Sequence, residues 1–322
     1  MRAALLSGIH QPLKITDLDP LVQEEGSCLV DVHYCSLNHR DYWISIGQYA
    51  GLKFPVILGS DVCGSYDFKS VIINPGTGWG SDHKAQSASY QILGLPENGG
   101  LAEQVLTRPD RLHVKPEHLT DLEAAALPLA GLTAFRALVV KAKPQRNESV
   151  LITGIGGGVA LFAMQFAIAL GLKVYVTSSS DEKLNRALSM GASGGFNYKS
   201  ADWQKGVQSE AGLMDIIIDG AGGEDFGKLV KVAAPGGRIV SYGATRGSWS
   251  GLQVQSVFWK QLSIFGSTMG SDEDFSNMIR MVNDYKIVPV VDKVLPLDQI
   301  NEAIQYMAVG SQFGKIVIDL RS

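Results

Sequence analysis

A glycine-rich turn between two apolar, β-branched segments constrains the fold of this chain most. Residues 150–180 read VLITGIGGGVALFAMQFAIALGLKVYVTSSS. The pattern predicts a strand, a tight turn, a helix and a second strand. Glycines adopt positive φ and let a backbone approach a ligand closely, and the free N–H groups that open the following helix attract an anion. The segment therefore predicts a βαβ unit that can hold the pyrophosphate of a dinucleotide.

The spacing of these glycines departs from a strict GxGxxG. The small residue that lets the helix pack on the strand is Ala160, so the motif reads Gly154-x-x-Gly157-x-x-Ala160. A glycine cluster alone also fits a purely structural βα turn. Because a strand precedes it and a helix follows, we favour nucleotide binding. The residues expected at the pyrophosphate are Gly154, Gly156, Gly157, Gly158 and Val159.

The end of the second strand bears on which nucleotide binds. An NAD site usually places Asp or Glu about 20 residues past the glycines to hold the ribose 2′-hydroxyl. Here Ser178 and Ser179 stand at the strand end with Lys183 beyond, and Tyr198 follows the third strand. Small hydroxyls and a positive charge favour a 2′-phosphate, so the sequence predicts NADP. A second interpretation, compatible with the first, makes Ser179 and Glu182 a capping box and Lys183 a solvated surface charge.

Composition excludes several classes of protein. With 322 residues and a net charge of −4, the chain is long enough for two domains and has no basic run typical of a nucleic-acid partner. Its three cysteines, Cys28, Cys35 and Cys63, lie outside any CxxC, which indicates a reducing, cytoplasmic location without disulfides. The N-terminus predicts an edge strand rather than a signal peptide, and glycines and Lys173 interrupt the longest apolar stretch. We therefore expect no membrane segment.

The pattern changes character twice along the chain, which predicts three segments: 1–120, 121–267 and 268–322. The first is rich in turns, with strands expected at 3–5, 27–36, 70–73 and 101–106. Thr120 and Glu123 then form a capping box before an apolar helix that Pro128 interrupts. Beyond it, strands expected at 150–153, 173–178, 195–197, 214–219, 237–242 and 262–266 alternate with helices. Six such strands predict an α/β, doubly wound parallel sheet. A helix near 274–285 and a β-α-β tail return to the first domain.

Several sequence motifs, taken in their order along the chain, resemble those of the medium-chain dehydrogenase/reductase superfamily, and within it the zinc-free quinone oxidoreductase branch. They are NHRD at 38–41, EAAALPLAGLTAFRAL at 123–138, the glycine turn, Asn197-Tyr198, PGGRIVSYG at 235–243 and GKIV at 314–317. The subgroup named zinc-type alcohol dehydrogenase-like is similar too, in 73–80 and 152–162. The resemblance covers nearly the whole chain and implies a GroES-like catalytic domain around a Rossmann domain.

The residues at the family's zinc positions argue against a metal. The resemblance places Asn38 where zinc-dependent members carry a Cys ligand, and Ser60 and Asp61 where they carry a His-Glu pair. Neither Asn nor Ser is a competent zinc ligand, and the chain has no four-cysteine lobe. A cluster of Cys35, His39, Asp61 and Cys63 is a weaker alternative, because Cys35 lies on a predicted strand. We expect no metal.

Without a metal, reduction of an electron-poor acceptor is easier than oxidation of an alcohol, since it needs only positioning and a hydrogen bond to the developing oxyanion. The sequence therefore predicts an NADPH-dependent reductase of quinones or α,β-unsaturated carbonyl compounds. A nucleotide-binding protein with little or no catalysis, which uses the fold for interaction, is the alternative.

The resemblance also implies where the cofactor and substrate bind. It places the nicotinamide near Thr133, Gly243 and Ser267 and puts Lys315 beside the cofactor, although Lys315 also fits an ordinary charge that opens an edge strand. Asn38 could donate to a carbonyl oxygen, and Tyr42 or Tyr49 could supply a proton or stack on a ring. Packing between domains explains the two tyrosines equally well. Asp41 is expected to hold the loop by hydrogen bonds, and His39 is a possible contact for cofactor or substrate.

Three further features carry expectations. The family has a hairpin after the position of Gly64, and most of it is missing from the short segment CGSYDFKSVII at 63–73. We therefore expect the first domain to lose part of its β-barrel. Residues 76–100 form a polar, glycine-rich loop that fits a lid, a partner surface or a mobile segment. Residues 252–268 end in the last strand of the predicted sheet, and an exposed edge favours a homodimer, unless the helix near 254–260 covers its own edge.

Overall fold

The computed structural model describes residues 1–321, which divide into two compact units. One unit combines Met1–Leu132 with the chain from Gly270 onward, and the other is Thr133–Met269. The sequence pattern puts the first domain boundary at 120, where the predicted helix begins. In the structure the boundary falls after Leu132, inside the helix Pro128–Phe135.

The strands are β1 Arg2–Leu6, β2 Lys14–Asp17, β3 Cys28–Ser36, β4 Val56–Ile57, β5 Asp61–Tyr66, β6 Lys69–Ile73, β7 Gly76–Thr77, β8 Gln91–Ile92, β9 Gln104–Thr107, β10 Leu112–Val114, β11 Ser149–Ile152, β12 Lys173–Ser178, β13 Gly194–Asn197, β14 Met214–Asp219, β15 Ala233–Ser241, β16 Ser263–Gly266, β17 Val291–Pro296 and β18 Lys315–Asp319.

The α-helices are α1 His39–Ser45, α2 Asp121–Ala125, α3 Pro128–Phe135, α4 Gly158–Ala169, α5 Asp181–Ser189, α6 Trp203–Glu210, α7 Phe226–Val232, α8 Val254–Trp259, α9 Asp272–Asp284 and α10 Ile300–Ala308. A π-helical segment, Arg136–Ala142, continues α3, and short 3₁₀ turns lie at Pro109–Arg111 and Leu297–Gln299. None of the helices in residues 1–321 is long and apolar enough to cross a membrane.

The first unit is built on a mostly antiparallel sheet in the order β10-β6-β5-β3-β18-β17, with β9 also paired to β3. A three-stranded sheet, β2-β1-β4, and the β7-β8 pair complete it. β3 and β18 contribute to one core, which includes Val30, Val32 and Ile318. Because β18 comes from the C-terminal end of the chain and pairs with β3, the tail returns to the first domain as predicted.

The hairpin expected to be lost is present in a shortened form. β5 pairs antiparallel with β6, with Tyr66 opposite Lys69. Asp67 and Phe68 form the two-residue turn, at φ 47° and 59°. Left-handed backbone at both positions matches the twist of a two-residue hairpin, so a tight turn replaces the longer connection. The expectation that most of the hairpin is absent is therefore corrected: the connection is shortened, but its two strands still pair.

The second unit is a six-stranded parallel sheet in the order β13-β12-β11-β14-β15-β16. Its strands are nearly continuous apolar runs because helices cover both faces of such a sheet. Ile216, Ile217 and Ile218 of β14 are fully buried. The order reverses between β11 and β14, which makes that point the switch of a doubly wound fold. The predicted fold class is confirmed, and two of the predicted strands, β12 and β14, have the predicted bounds.

Candidate functional site

A buried polar network occupies the first unit where four segments meet. Ser36 ends β3, Asn38 precedes α1, Asp61 opens β5 and Lys315 opens β18. The Lys315 ammonium donates to Asn38 Oδ1 at 2.7 Å and to Asp61 Oδ2 at 2.9 Å. The side chains of Lys315 and Asp61 are 5% and 0% exposed, so the ion pair is shielded from water.

Asp61 is the centre of this network. Its Oδ2 also accepts from Ser36 Oγ at 3.0 Å and Asn38 Nδ2 at 2.9 Å, and its Oδ1 accepts from the Leu129 N–H at 2.7 Å. A buried ion pair is tolerated when hydrogen bonds satisfy the remaining lone pairs. The arrangement fulfils that condition for the carboxylate.

The same network fixes the amide of Asn38. An ammonium group can only donate, so the atom that faces Lys315 must be the amide oxygen, and Nδ2 then faces Asp61. Asp61 uses one of the two N–H groups of Asn38, which leaves one for a ligand. The role of Asn38 as a donor to a carbonyl oxygen stays a prediction.

The family's zinc positions do not fit a zinc ion in this chain. Asn38 and Asp61 already accept from Lys315, so a divalent cation would have to displace an ammonium ion and bind to an amide, a hydroxyl and one carboxylate. Within the described residues no group of three or more His, Cys, Asp and Glu side chains could hold a metal. Burial raises the pKa of the Cys35 and Cys63 thiols and lowers the pKa of His39, so both thiols favour the protonated form that does not bind metals. Metal independence stays a prediction.

Arg40 is a site residue that the sequence analysis did not select. Its Nη1 donates to Ser60 Oγ at 2.6 Å and to the Leu93 carbonyl at 2.8 Å. Its guanidinium carbon lies 5.2 Å from the centroid of the Tyr49 ring. The available signal was its place inside NHRD, two residues after Asn38.

The other predicted residues near Asn38 are held by the loop and the core. Asp41 accepts from the N–H groups of Asn38 at 2.8 Å and Gly59 at 3.3 Å, which confirms the expected loop-holding bonds. Burial raises the pKa of this carboxyl, and the charge of Arg40 opposes that shift. Tyr42 and Tyr49 are half-buried and pack against the core, and their substrate role stays a prediction.

The glycine turn of the second unit has the form that a pyrophosphate needs. Gly154 and Gly156 have φ of 66° and 120°, and α4 begins at Gly158 with Gly157 as its N-cap. A Cβ added to Gly154 would meet no atom within 4 Å, so open space lies beside the turn. The first N–H groups of α4 have no partner within the helix, so they can donate hydrogen bonds to an anion. This turn fits a dinucleotide.

The predicted 2′-phosphate residues surround the start of α5. The Tyr198 N–H donates to the Ser178 carbonyl at 3.0 Å, which brings the two residues together. Arg246, which the sequence analysis did not select, places its guanidinium carbon 5.1 Å from the centroid of the Tyr198 ring. Ser179 and Lys183 flank the same helix start, and their roles toward a nucleotide stay predictions.

One prediction about this segment, its helix cap, was wrong. The predicted capping box used Ser179 and Glu182, whereas the N-cap of α5 is Ser180, whose Oγ accepts from the Lys183 N–H at 3.4 Å. α5 begins at Asp181, so its N-cap lies one position later than the pattern suggested.

Gly243 and Ser267 follow the carboxyl ends of the neighbouring strands β15 and β16. The Ser267 N–H donates to the Ser241 carbonyl at 2.9 Å, and its Oγ is buried without a hydrogen-bond partner in residues 1–321. Thr133 belongs to the same unit, with its Oγ1 3.8 Å from Met269 Sδ. In parallel α/β sheets ligands bind outside the carboxyl ends of strands, where Gly243, Ser267 and the glycine turn lie.

Two family models match the chain. One is described as a zinc-binding dehydrogenase and matches residues 158–284. The other is described as an alcohol dehydrogenase GroES-like domain and matches residues 24–66.

Similar proteins match almost the full length. A zinc-type alcohol dehydrogenase-like protein of Leptosphaeria maculans is 35% identical, with 97% of this chain and 96% of that protein covered. A quinone oxidoreductase-like protein 2 of Bos taurus is 28% identical, with 99% and 93% covered. The crystal structure of an NAD-dependent alcohol dehydrogenase has a TM-score of 0.93 at 34% identity, with 99% of both chains covered.

Proposed function

The chain belongs to the medium-chain dehydrogenase/reductase superfamily of oxidoreductases that use a nicotinamide cofactor, and we propose that it is a metal-independent, NADPH-dependent reductase of quinones or α,β-unsaturated carbonyl compounds. The bound cofactor would supply a hydride. The chain's own residues then have to orient the acceptor and stabilise the oxygen on which negative charge develops.

The observation that carries the proposal is the engagement of Asn38 and Asp61 by Lys315. Oxidation of an alcohol in zinc-dependent relatives of this fold needs a metal to polarise the alcohol oxygen. At the corresponding positions this chain has Asn38, Ser60 and Asp61, and the cations Lys315 and Arg40 are hydrogen-bonded to them. Quinones and enones are already electron-poor, so donors of this kind are sufficient for them.

The cofactor preference rests on the end of β12. The small side chains Ser178 and Ser179 leave room for a 2′-phosphate, and Lys183 supplies charge. The first carboxylate beyond the strand is Asp181, which lies after the N-cap Ser180 and whose Oδ1 accepts from Asn197 Nδ2 at 2.7 Å. The strand end itself therefore carries no Asp or Glu of the kind typical of NAD sites.

We also propose that the protein works as a homodimer in the cytoplasm. Its three cysteines are buried free thiols, as expected in a reducing compartment. The exposed apolar side chains beside β16 support the dimer.

A panel of substrates tests the proposed activity. Purified protein, dialysed against chelator, is mixed with NADPH or NADH and with quinones, enones or aldehydes, or with NADP⁺ or NAD⁺ and with alcohols, and nicotinamide absorbance is followed. We expect NADPH oxidation with quinones or enones at a rate that chelation leaves unchanged. Alcohol oxidation that depends on added zinc would contradict the proposal. Cofactor binding without turnover of any acceptor would favour the alternative of a nucleotide-binding interaction protein.

A further inference from the structure

Arg40 is a buried cation without a carboxylate partner. The residue is 8% exposed, yet the hydrogen bonds of its guanidinium in the described residues go to a hydroxyl and a carbonyl and not to a carboxylate. Two of its five N–H groups are explained by Ser60 Oγ and the Leu93 carbonyl, through Nη1. Its Nε is buried with no hydrogen-bond partner in the described chain.

A buried guanidinium with an unsatisfied donor lowers the stability of the folded state, so its presence here calls for an explanation. Arginine is rarely buried without a paired charge, and an unsatisfied buried donor costs about 1–3 kcal/mol. The neighbouring carboxylate of Asp41 does not remove this cost, because its oxygens accept from the N–H groups of Asn38 and Gly59 instead. The guanidinium therefore keeps hydrogen-bond donor capacity that no group in the described residues uses.

The surroundings of Arg40 favour a flat, oxygen-bearing ligand. The centroid of the Tyr49 ring lies 5.2 Å from the guanidinium carbon. The Tyr90 hydroxyl is buried and also without a partner among the described residues. Burial raises the pKa of Tyr90, and the charge of Arg40 acts in the opposite direction, so Arg40 is electrostatically coupled to this second tyrosine.

We propose that Arg40, together with Tyr49, is a binding site for the oxygen anion of a phenolate or an enolate. This proposal rests on the proposed function, because such an anion arises when an acceptor is reduced. A hydride that adds to the β-carbon of an enone pushes an electron pair onto the carbonyl oxygen, and a proton from solvent at the α-carbon then completes the saturated carbonyl compound. When the hydride adds to a ring carbon of a quinone, loss of one proton from that carbon to solvent leaves a phenolate, and uptake of two protons on the oxygens completes the hydroquinone. The acceptor gains two electrons and the nicotinamide loses them, while the guanidinium stays protonated throughout.

Arg40 would thus supply the positive charge that a metal ion supplies in zinc-dependent members. It stands two residues after Asn38 and donates to Ser60, and both are positions that the resemblance assigns to zinc ligands. A guanidinium binds an oxygen anion through hydrogen bonds as well as through its charge.

The experiment uses 4-nitrophenol, whose absorption distinguishes the ionised from the neutral form. The probe is titrated with the full-length protein, alone and with NADP⁺, over a range of pH. Four variants are compared with the unmodified chain: Arg40→Met, Arg40→Lys, Tyr49→Phe and, as a matched control, Arg108→Met. Arg108 is an exposed arginine of the same unit that pairs with Asp110.

We expect the unmodified protein to bind 4-nitrophenolate and to lower the apparent pKa of the bound probe. Arg40→Met should weaken phenolate binding at least tenfold and abolish that shift, Arg40→Lys should keep part of the affinity, and Arg108→Met should change nothing. Unchanged binding in Arg40→Met, binding of the neutral phenol only, or no binding to the unmodified protein would each overturn the proposal. Melting temperatures show whether the variants fold. If Arg40→Met does not fold, the phenolate affinities of Arg40→Lys and Tyr49→Phe, each compared with that of the unmodified protein, test the proposal instead. Because the probe needs no turnover, failure here is distinct from failure of the substrate panel.

Discussion

At the scale of single residues, the ion pair between Lys315 and Asp61 is expected to be strongly coupled. Lys315→Met would leave a fully buried carboxylate without its cation, at a cost of about 3–5 kcal/mol in the free energy of unfolding. Asp61→Asn in the same chain removes that charge, so the double variant should be more stable than Lys315→Met alone. Urea denaturation of the two single variants and the double variant measures the coupling. Additive losses would show that the two side chains act independently.

The preference for NADPH over NADH is also decided by single side chains. If Ser178, Ser179, Lys183 and Tyr198 hold a 2′-phosphate, NADPH should bind at least about tenfold, or 1.4 kcal/mol, more tightly than NADH. Lys183→Ala should weaken NADPH and leave NADH nearly unchanged, because only NADPH carries the extra charge. The cap of α5 uses the backbone of Lys183 and survives this change.

Titration calorimetry of both cofactors checks this preference. Lys173→Ala is the control, since Lys173 is an exposed lysine at the opposite end of the same strand. Equal affinities of the unmodified protein for NADPH and NADH would remove the argument.

Among the structural elements, the β5-β6 hairpin carries a strained turn. Phe68 has φ 59° and its side chain is fully exposed, so the ring gains nothing that offsets the left-handed backbone. Phe68→Gly should raise the free energy of unfolding by about 1 kcal/mol, because a left-handed conformation costs other residues roughly 1–2 kcal/mol. Phe68→Ala keeps the Cβ and should bring no such gain. Thermal melts of both variants decide, and equal melting temperatures would place the cost elsewhere.

The elements also show what the sequence could predict. β12, β14 and the capping box of Thr120 and Glu123 follow from local pattern, since each depends on residues within one turn or strand. The hairpin at Asp67 and Phe68 was missed because neither residue is the glycine that left-handed turns favour. Arg40 was missed because its significance depends on Ser60 and Leu93, which are distant in sequence. Pattern predicts elements, whereas a buried network needs the tertiary structure.

For the whole molecule, the open question is assembly. β16 is the last strand of the parallel sheet and has a neighbour, β15, on one side only within residues 1–321. The adjacent helix α8 has no buried residue, and Val254, Phe258 and Trp259 are 63%, 55% and 79% exposed. A helix that covered the edge of its own sheet would bury its apolar side chains. An exposed strand edge beside exposed aromatic rings is instead typical of a self-complementary interface.

One chain has a mass of 34.6 kDa. We therefore expect light scattering at micromolar concentration to give twice that mass. Trp259→Asp should shift the mass toward the monomer, because a charge buried in the interface without a partner costs several kcal/mol. Ile264→Pro should do the same by changing the backbone of the edge strand. Val309→Asp, which alters an equally exposed apolar residue of the other unit, should leave the dimer intact. A single-chain mass for the unmodified protein would refute the dimer, and a dimer that survives both Trp259→Asp and Ile264→Pro would place its interface on another surface.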